Sequence, residues 1–263
     1  MTLIEILHSC LIVINIVIVG YLAFRLKRSF RTKKAQDTAF MKGLSIDLFR
    51  QFQSFMALRE LVDPGPWLPP LRGWAGSPDF LLVVARHILQ QKPVVLVECG
   101  GGASTLILAR CCQITGTGHV YSLDHDPFFA RKTREIIAEA GLLDWVTIIE
   151  ADLVENGNSD EVAQDALWYD KSKIPTSSVD MVLVDGPPMP INPMIRYPAG
   201  PFFWPQLSKG GVIFADDTAT AGGTETVKRW EEEFQGAQSR RFDCEKGCVA
   251  IYKIDIASET SSA

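Results

Sequence analysis

Acidic residues stand at or just after the ends of five short apolar runs. They are Glu98 in "VVLVECGGGAST", Asp124 in "VYSLDHDP", Asp152 in "EADL", Asp185 in "MVLVDGPP", and the pair Asp216-Asp217 in "VIFADDT". After Glu98 come Gly100, Gly101 and Gly102, then Ser104 and Thr105. Glycines let a backbone turn sharply and approach a ligand closely, because they carry no Cβ. An acid one strand-helix-strand unit downstream, where Asp124 stands, can accept both hydroxyls of a ribose. The chemistry on offer is therefore the binding of a nucleoside.

Two cofactor classes use a glycine turn with a ribose acid. A dinucleotide fold calls for GxGxxG, and counting from Gly100 the third glycine position is Thr105. Its pyrophosphate needs the helix N-terminus that this glycine opens. S-adenosylmethionine has no phosphate and tolerates a looser turn preceded by an acid. A nicotinamide-dependent oxidoreductase and a non-catalytic binding protein both stand as alternatives at this stage.

The ExGxG turn followed by Ser-Thr resembles the class I S-adenosylmethionine-dependent methyltransferases. The ordered set "WAGSPDFL", "VVLVECGGGASTLILA", "GHVYSLDHDP", "WYD", "VDMVLVDGPP", "IRYPA" and "GGVIFADDTATAGGTETVKRW" extends the resemblance over roughly residues 67 to 254. It is similar to a branch of small-molecule O-methyltransferases, several of them linked to sugars. The resemblance implies S-adenosylmethionine as cofactor and a small-molecule or sugar hydroxyl as methyl acceptor. It places Glu98, Gly100 and Gly102 on the methionine and ribose side and Asp124 at the ribose hydroxyls; Ser104 and His125, beside them, are further cofactor-site candidates, with helix capping and a stacking or surface place as their alternatives. Asp152 and Leu153 would border the adenine, although the branch often has Pro where this chain has Asp152. Trp74 and Ser77 would close over the cofactor.

Methyl transfer to oxygen needs an acceptor held in line and deprotonated. Asp185 is the candidate general base. Asp185, Asp216 and Asp217 together form an oxygen set that suits Mg2+ or another divalent cation. The set resembles catechol O-methyltransferase, which has an Asp-Asn pair where this chain has Asp216-Asp217. Arg196 and Tyr197, in "PMPINPMIRYPAGPFFW", are expected to face the acceptor.

These residues need a scaffold. Apolar runs at 94–98, 119–124, 146–150, 179–185 and 211–215 alternate with helical patterns at 79–90, 103–112, 128–140, 160–170 and 224–235. Short strands that are apolar on both faces and separated by helices make a parallel sheet covered on two sides. "RRFDCEKGCVAIYKI" reads as a hairpin turning at Lys246-Gly247. The expected architecture is an α/β, Rossmann-like, doubly wound, mostly parallel seven-stranded sheet with a terminal antiparallel hairpin.

Ahead of it, Ile6 to Phe24 is a 19-residue uncharged run, His8 being neutral. At 1.5 Å per residue it measures roughly 28 Å, about one hydrocarbon core. Six cations follow within "RLKRSFRTKK", which by the positive-inside bias puts the remainder of the chain in the cytoplasm. The expectation is a single-pass membrane protein; a cleaved signal peptide and a buried helix are its rivals.

The expected partition is an anchor at 1–34, a helical linker and Pro/Trp-rich loop at 35–78, the catalytic domain at 79–254 and a polar tail at 255–263. In the linker, Phe40, Leu44, Leu48, Phe52 and Phe55 have helical spacing. A net charge of -5 over 263 residues argues against a nucleic-acid partner. The six cysteines lack zinc spacing and read as reduced. Oligomeric state is not legible.

Overall fold

The computed structural model describes residues 2–71, 73–155, 167–175 and 178–254, without the side chains of 3, 5–7, 9–14, 16 and 17. The chain divides into two compact units, residues 1–50 and 51–263. Helix α1 runs over Leu3–Val62. The apolar run at 6–24 lies in α1, but much of it falls outside the described side chains. Among the described residues, no helix is long and apolar enough to cross a membrane, so the expected span is not supported. The expected apolar stripe does not mark a buried face either, since Phe40, Leu44, Leu48 and Phe52 are all exposed.

The second unit is the expected α/β fold. Its seven-stranded sheet is built from β1 (Val95–Cys99), β2 (His119–Asp124), β3 (Val146–Glu150), β6 (Val179–Val184), β7 (Leu207–Asp216), β8 (Ala237–Phe242) and β9 (Cys248–Lys253). Their spatial order is β3-β2-β1-β6-β7-β9-β8. The pairs from β3 to β7 are parallel, while β9 is antiparallel to both β7 and β8. The helices α2 (Pro78–Gln91), α3 (Ala103–Thr115), α4 (Pro127–Glu139) and α6 (Ala221–Glu233) lie close to their predicted places. A short α5, Ala199–Phe203, precedes β7.

One element departs from expectation. The helix predicted over 160–170 lies partly outside the described residues, and its end is instead the strand β5, Leu167–Tyr169. It pairs antiparallel with β4, Leu153–Glu155, in a separate two-stranded sheet. The bulky Trp168 and Tyr169 are fully buried there. Burying two large aromatics against the main sheet outweighs the helical preference of the residues around them.

Apolar side chains pack on both faces of the sheet. One face joins Leu58 and Val62 of α1 to α2, α3 and strand residues such as Leu96 and Phe214. The other joins Val97, Val182 and Ile213 to Trp168, Phe203 and Trp230. Trp230 is fully buried, donates its indole N–H to Tyr197 O at 3.0 Å, and packs so closely on Gly200 that a Cβ there would overlap its ring. Trp230→Ala is expected to cost about 3–5 kcal/mol, measurable as a lower urea midpoint with an unchanged slope. The five described cysteines, Cys99, Cys111, Cys112, Cys244 and Cys248, are buried and free.

Candidate active site

Strand order reverses between β1 and β6: the chain runs outward from β1 to β2 and β3, then crosses back to β6 and β7. In an open sheet this switch point leaves a crevice beyond the strand carboxyl ends. A cavity of about 270 Å³ opens there, lined by Trp74, Gly100, Gly101, Asp124, His125, Asp126, Phe129, Tyr169, Asp185, Gly186, Pro188 and Arg196.

The glycine turn is shaped from below. Gly100 has φ +95, and a Cβ on it would lie 2.9 Å from the Gly186 backbone, so the loops after β1 and β6 touch here. Gly102 caps α3 and donates its N–H to Thr105 Oγ1 at 2.9 Å. Thr105 Oγ1 in turn donates to Glu98 Oε2 at 2.6 Å, and Ser122 Oγ donates to the same oxygen at 2.6 Å. Glu98 is therefore a fully buried strut under the turn, and Ser104 is buried beside it. Neither Glu98, Gly102 nor Ser104 lines the cavity, contrary to expectation; Gly100 and Gly101 do. The reason is β1 itself, whose last four residues are all buried, so an acid on it meets the packed interior.

Burial pushes the Glu98 carboxyl up to about 6, against the opposing effect of the hydroxyls of Ser104, Ser122 and Thr105. A carboxyl whose pKa is higher in the folded state stabilises the fold fully below its unfolded value, and that contribution is lost as pH rises through the folded one. Glu98→Gln, which mimics the neutral acid, is thus expected to be more stable than wild type at pH 7.5 by about 2 kcal/mol. The difference should shrink as pH falls from 6 toward 4.5, as thermal melts across that window would read.

Asp124 stands at the end of β2 on the cavity wall. Its Oδ1 accepts the Asp126 N–H at 3.0 Å and lies 3.7 Å from His125 Nδ1. Burial raises its pKa. Trp74, 74% exposed, stands at the rim. Its loop is held by Lys246 of the β8–β9 turn, whose Nζ donates to Gly73 O and Ala75 O at 3.0 Å each. Ser77, expected beside Trp74 at the cofactor, is instead buried and donates to Asp79 Oδ1 at 2.6 Å. Asp152 and Leu153 do not line the cavity: Asp152 O accepts from Asp170 N at 2.9 Å, and Leu153 begins β4.

At the acceptor end, Asp185 follows β6, Asp216 closes β7, and Asp217 adopts φ 57. One carboxylate oxygen from each lies within 4.8 Å of the others, as expected of a converging set. Burial and the Asp216 charge hold the Asp185 carboxyl well above the usual range, against the pull of Arg196. Arg196 lines the cavity and reaches Asp217 Oδ2 at 2.8 Å and Asp185 Oδ1 at 3.4 Å. Tyr197 does not face the acceptor: its hydroxyl donates to Glu233 Oε1 and Oε2 at 2.8 Å. Consecutive turn residues point apart here, Arg196 into the crevice and Tyr197 toward α6.

Asp126, Phe129, Tyr169 and Lys246 had no site role in the sequence, and Gly101, there only a turn residue, lines the cavity. Tyr169 has a fully buried hydroxyl with no hydrogen-bond partner, at the cavity wall. "WYD" was visible as a motif, but its strand pairing was not.

Residues 97–218 match the protein family described as "Methyltransferase domain". The chain carries a methyltransferase domain. The class I methyltransferase expected from the motifs is thereby borne out, and with it the enzyme class. Among solved structures, an SAH-bound methyltransferase from Podospora anserina superposes with a TM-score of 0.52 at 17% identity, covering 76% of this chain and 88% of that one. An O-methyltransferase from Bacillus cereus in complex with SAH superposes with a TM-score of 0.51 at 17% identity, covering 80% and 97% of the two chains. Both likenesses describe a shared fold with this methyltransferase.

Proposed function

We propose that the protein transfers the methyl group of S-adenosylmethionine to a small-molecule or sugar hydroxyl. The observation that carries this is the meeting, at one cavity within a methyltransferase domain, of a glycine turn, a ribose-type acid and a buried strand-end carboxyl: Gly100-Gly101, Asp124 and Asp185.

The residues suit the cofactor. Gly100 and Gly101 offer a wall without side chains, Asp124 offers carboxylate oxygens to a ribose diol, and Phe129 and Trp74 offer flat apolar faces at the rim. The nucleoside supplies a methyl group activated by its sulfonium. A dinucleotide suits the turn poorly, because the Gly102 N–H that would face a pyrophosphate is already donated to Thr105 Oγ1.

The protein's own work is at the acceptor. Asp185 takes the proton of the hydroxyl; a carboxyl whose pKa is raised by burial is a stronger base than an exposed one. Arg196 fixes the orientation of Asp185, and Gly186 and Pro188 shape the wall beside it. Pre-positioning the nucleophile removes much of the entropic cost of a two-substrate reaction.

Attachment to a membrane with the catalytic unit in the cytoplasm is part of this proposal. It is supported by the uncharged run at 6–24 and the six cations that follow it. Carbonate extraction of membranes should leave the full chain in the pellet and release a chain beginning at residue 35.

Incubating the protein with methyl-tritiated S-adenosylmethionine and fractionated cell extract should label a small molecule in a linkage stable to alkali, as an ether is. Label confined to protein or nucleic acid would reject the small-molecule acceptor.

A further inference from the structure

Three strand-end carboxylates within 4.8 Å of one another look like a divalent-cation site. A cation is already built into this one. Arg196 is 5% exposed, and its guanidinium lies between the loops after β6 and β7. Nη1 contacts Asp217 Oδ2 at 2.8 Å and donates to Asp216 O at 3.3 Å. Nη2 contacts Asp185 Oδ1 at 3.4 Å and donates to Asp185 O at 2.6 Å, while Nε donates to Pro187 O at 3.2 Å. All three nitrogens are engaged, two of the three acids are paired, and the backbone of both strand ends is bridged. A second cation, Lys246 Nζ, lies 3.9 Å from Asp217 Oδ1. A resident divalent ion would have to share the cluster with a buried, permanently charged guanidinium, so this residue set does not fit the expected metal.

We propose that Arg196 replaces the divalent cation: it gathers the acid cluster and sets Asp185 against the acceptor hydroxyl, so that methyl transfer needs no metal. Arg196 acts as a positioning residue that brings the positive charge of its guanidinium to the cluster. Both Arg196 and Asp185 line the cavity, so that charge lies beside the reacting oxygen. The Asp216 carboxyl is the member whose oxygens are buried without a hydrogen-bond partner. Removing Arg196 would therefore leave three carboxylates with Lys246, 3.9 Å from Asp217 Oδ1, as their described cation, and open a cation site that wild type lacks.

The test rests on the proposed methyl transfer for one arm only. Mn2+ binding to the full chain, read by the electron paramagnetic resonance signal of the free ion, needs neither cofactor nor acceptor. Wild type should bind no Mn2+ at this cluster up to about 1 mM, a range covering weak carboxylate sites. Arg196→Ala should bind Mn2+, and adding Asp217→Asn to it should abolish that binding. In turnover, wild type dialysed against EDTA should keep its full rate. Arg196→Ala should lose about 10²-fold or more, the scale of losing a preorganised charge, with Arg196→Lys recovering part of it.

Wild-type Mn2+ binding that disappears in Asp217→Asn, or a rate abolished by EDTA and restored by Mg2+, would overturn the proposal. If Arg196→Ala does not fold, the wild-type measurements alone decide. Absence of any methyl transfer would reject the proposed activity and leave the Mn2+ result to judge Arg196.

Discussion

Asp185→Asn is expected to lower kcat by about 10²- to 10⁴-fold while changing cofactor affinity only a few-fold, the range found when a general base is removed. Asn keeps the shape and still accepts from Arg196 Nη2, which lies 3.4 Å from Asp185 Oδ1, but it cannot take a proton. The Asp185 backbone is anchored independently, its N–H donating to Cys99 O at 3.0 Å and its carbonyl accepting from Arg196 at 2.6 Å. The loop should therefore survive the substitution. Single-turnover kinetics with saturating cofactor would isolate the chemical step; an unchanged rate would remove Asp185 from the mechanism.

Asp124→Ala is expected to act on the other substrate, weakening S-adenosylmethionine binding by about 100-fold or more. Hydrogen bonds to a charged acceptor contribute about 1.5–3 kcal/mol each, and a ribose diol would make two. Because Asp124 Oδ1 also accepts the Asp126 N–H at 3.0 Å, some loss of stability will accompany the change. Asp124→Asn separates the effects, since its amide oxygen can keep that turn bond while the carboxylate charge is gone. Calorimetry should rank affinity as wild type, then Asn, then Ala. Equal affinities would mean that the ribose lies elsewhere.

Much of the site was legible because strand-end chemistry is local. Each apolar run ends in or beside an acid, and the parallel sheet brings those ends to one edge, so Gly100, Asp124, His125, Asp185, Trp74 and Arg196 line one cavity. What failed was direction. A strand buried on both faces carries no alternation to say where Glu98 points, and it points under the turn. Arg196 and Tyr197 looked equivalent in sequence, yet a turn sends one to Asp185 and the other to Glu233. Pairing across distance failed too. Lys246 holds carbonyls 171 and 173 positions away, and Tyr169 reaches the cavity only because β5 pairs with β4. Composition records no such contacts.

The alternation of strands and helices that starts at Asp79 set the expected start of the catalytic domain; ahead of it, Leu58 and Val62 lie in the core that faces α2 and α3. The last turns of α1 belong to the second unit, which begins at Gln51.

The proposed function requires the cavity to bind a sulfonium nucleoside. Isothermal titration of the full chain with S-adenosylmethionine, in parallel with a nicotinamide dinucleotide, tests it most directly. Saturable binding of the first is expected, weakened about 100-fold or more by Asp124→Ala, with no heat from the second. Binding of the dinucleotide, or no binding of S-adenosylmethionine by folded protein, would contradict it.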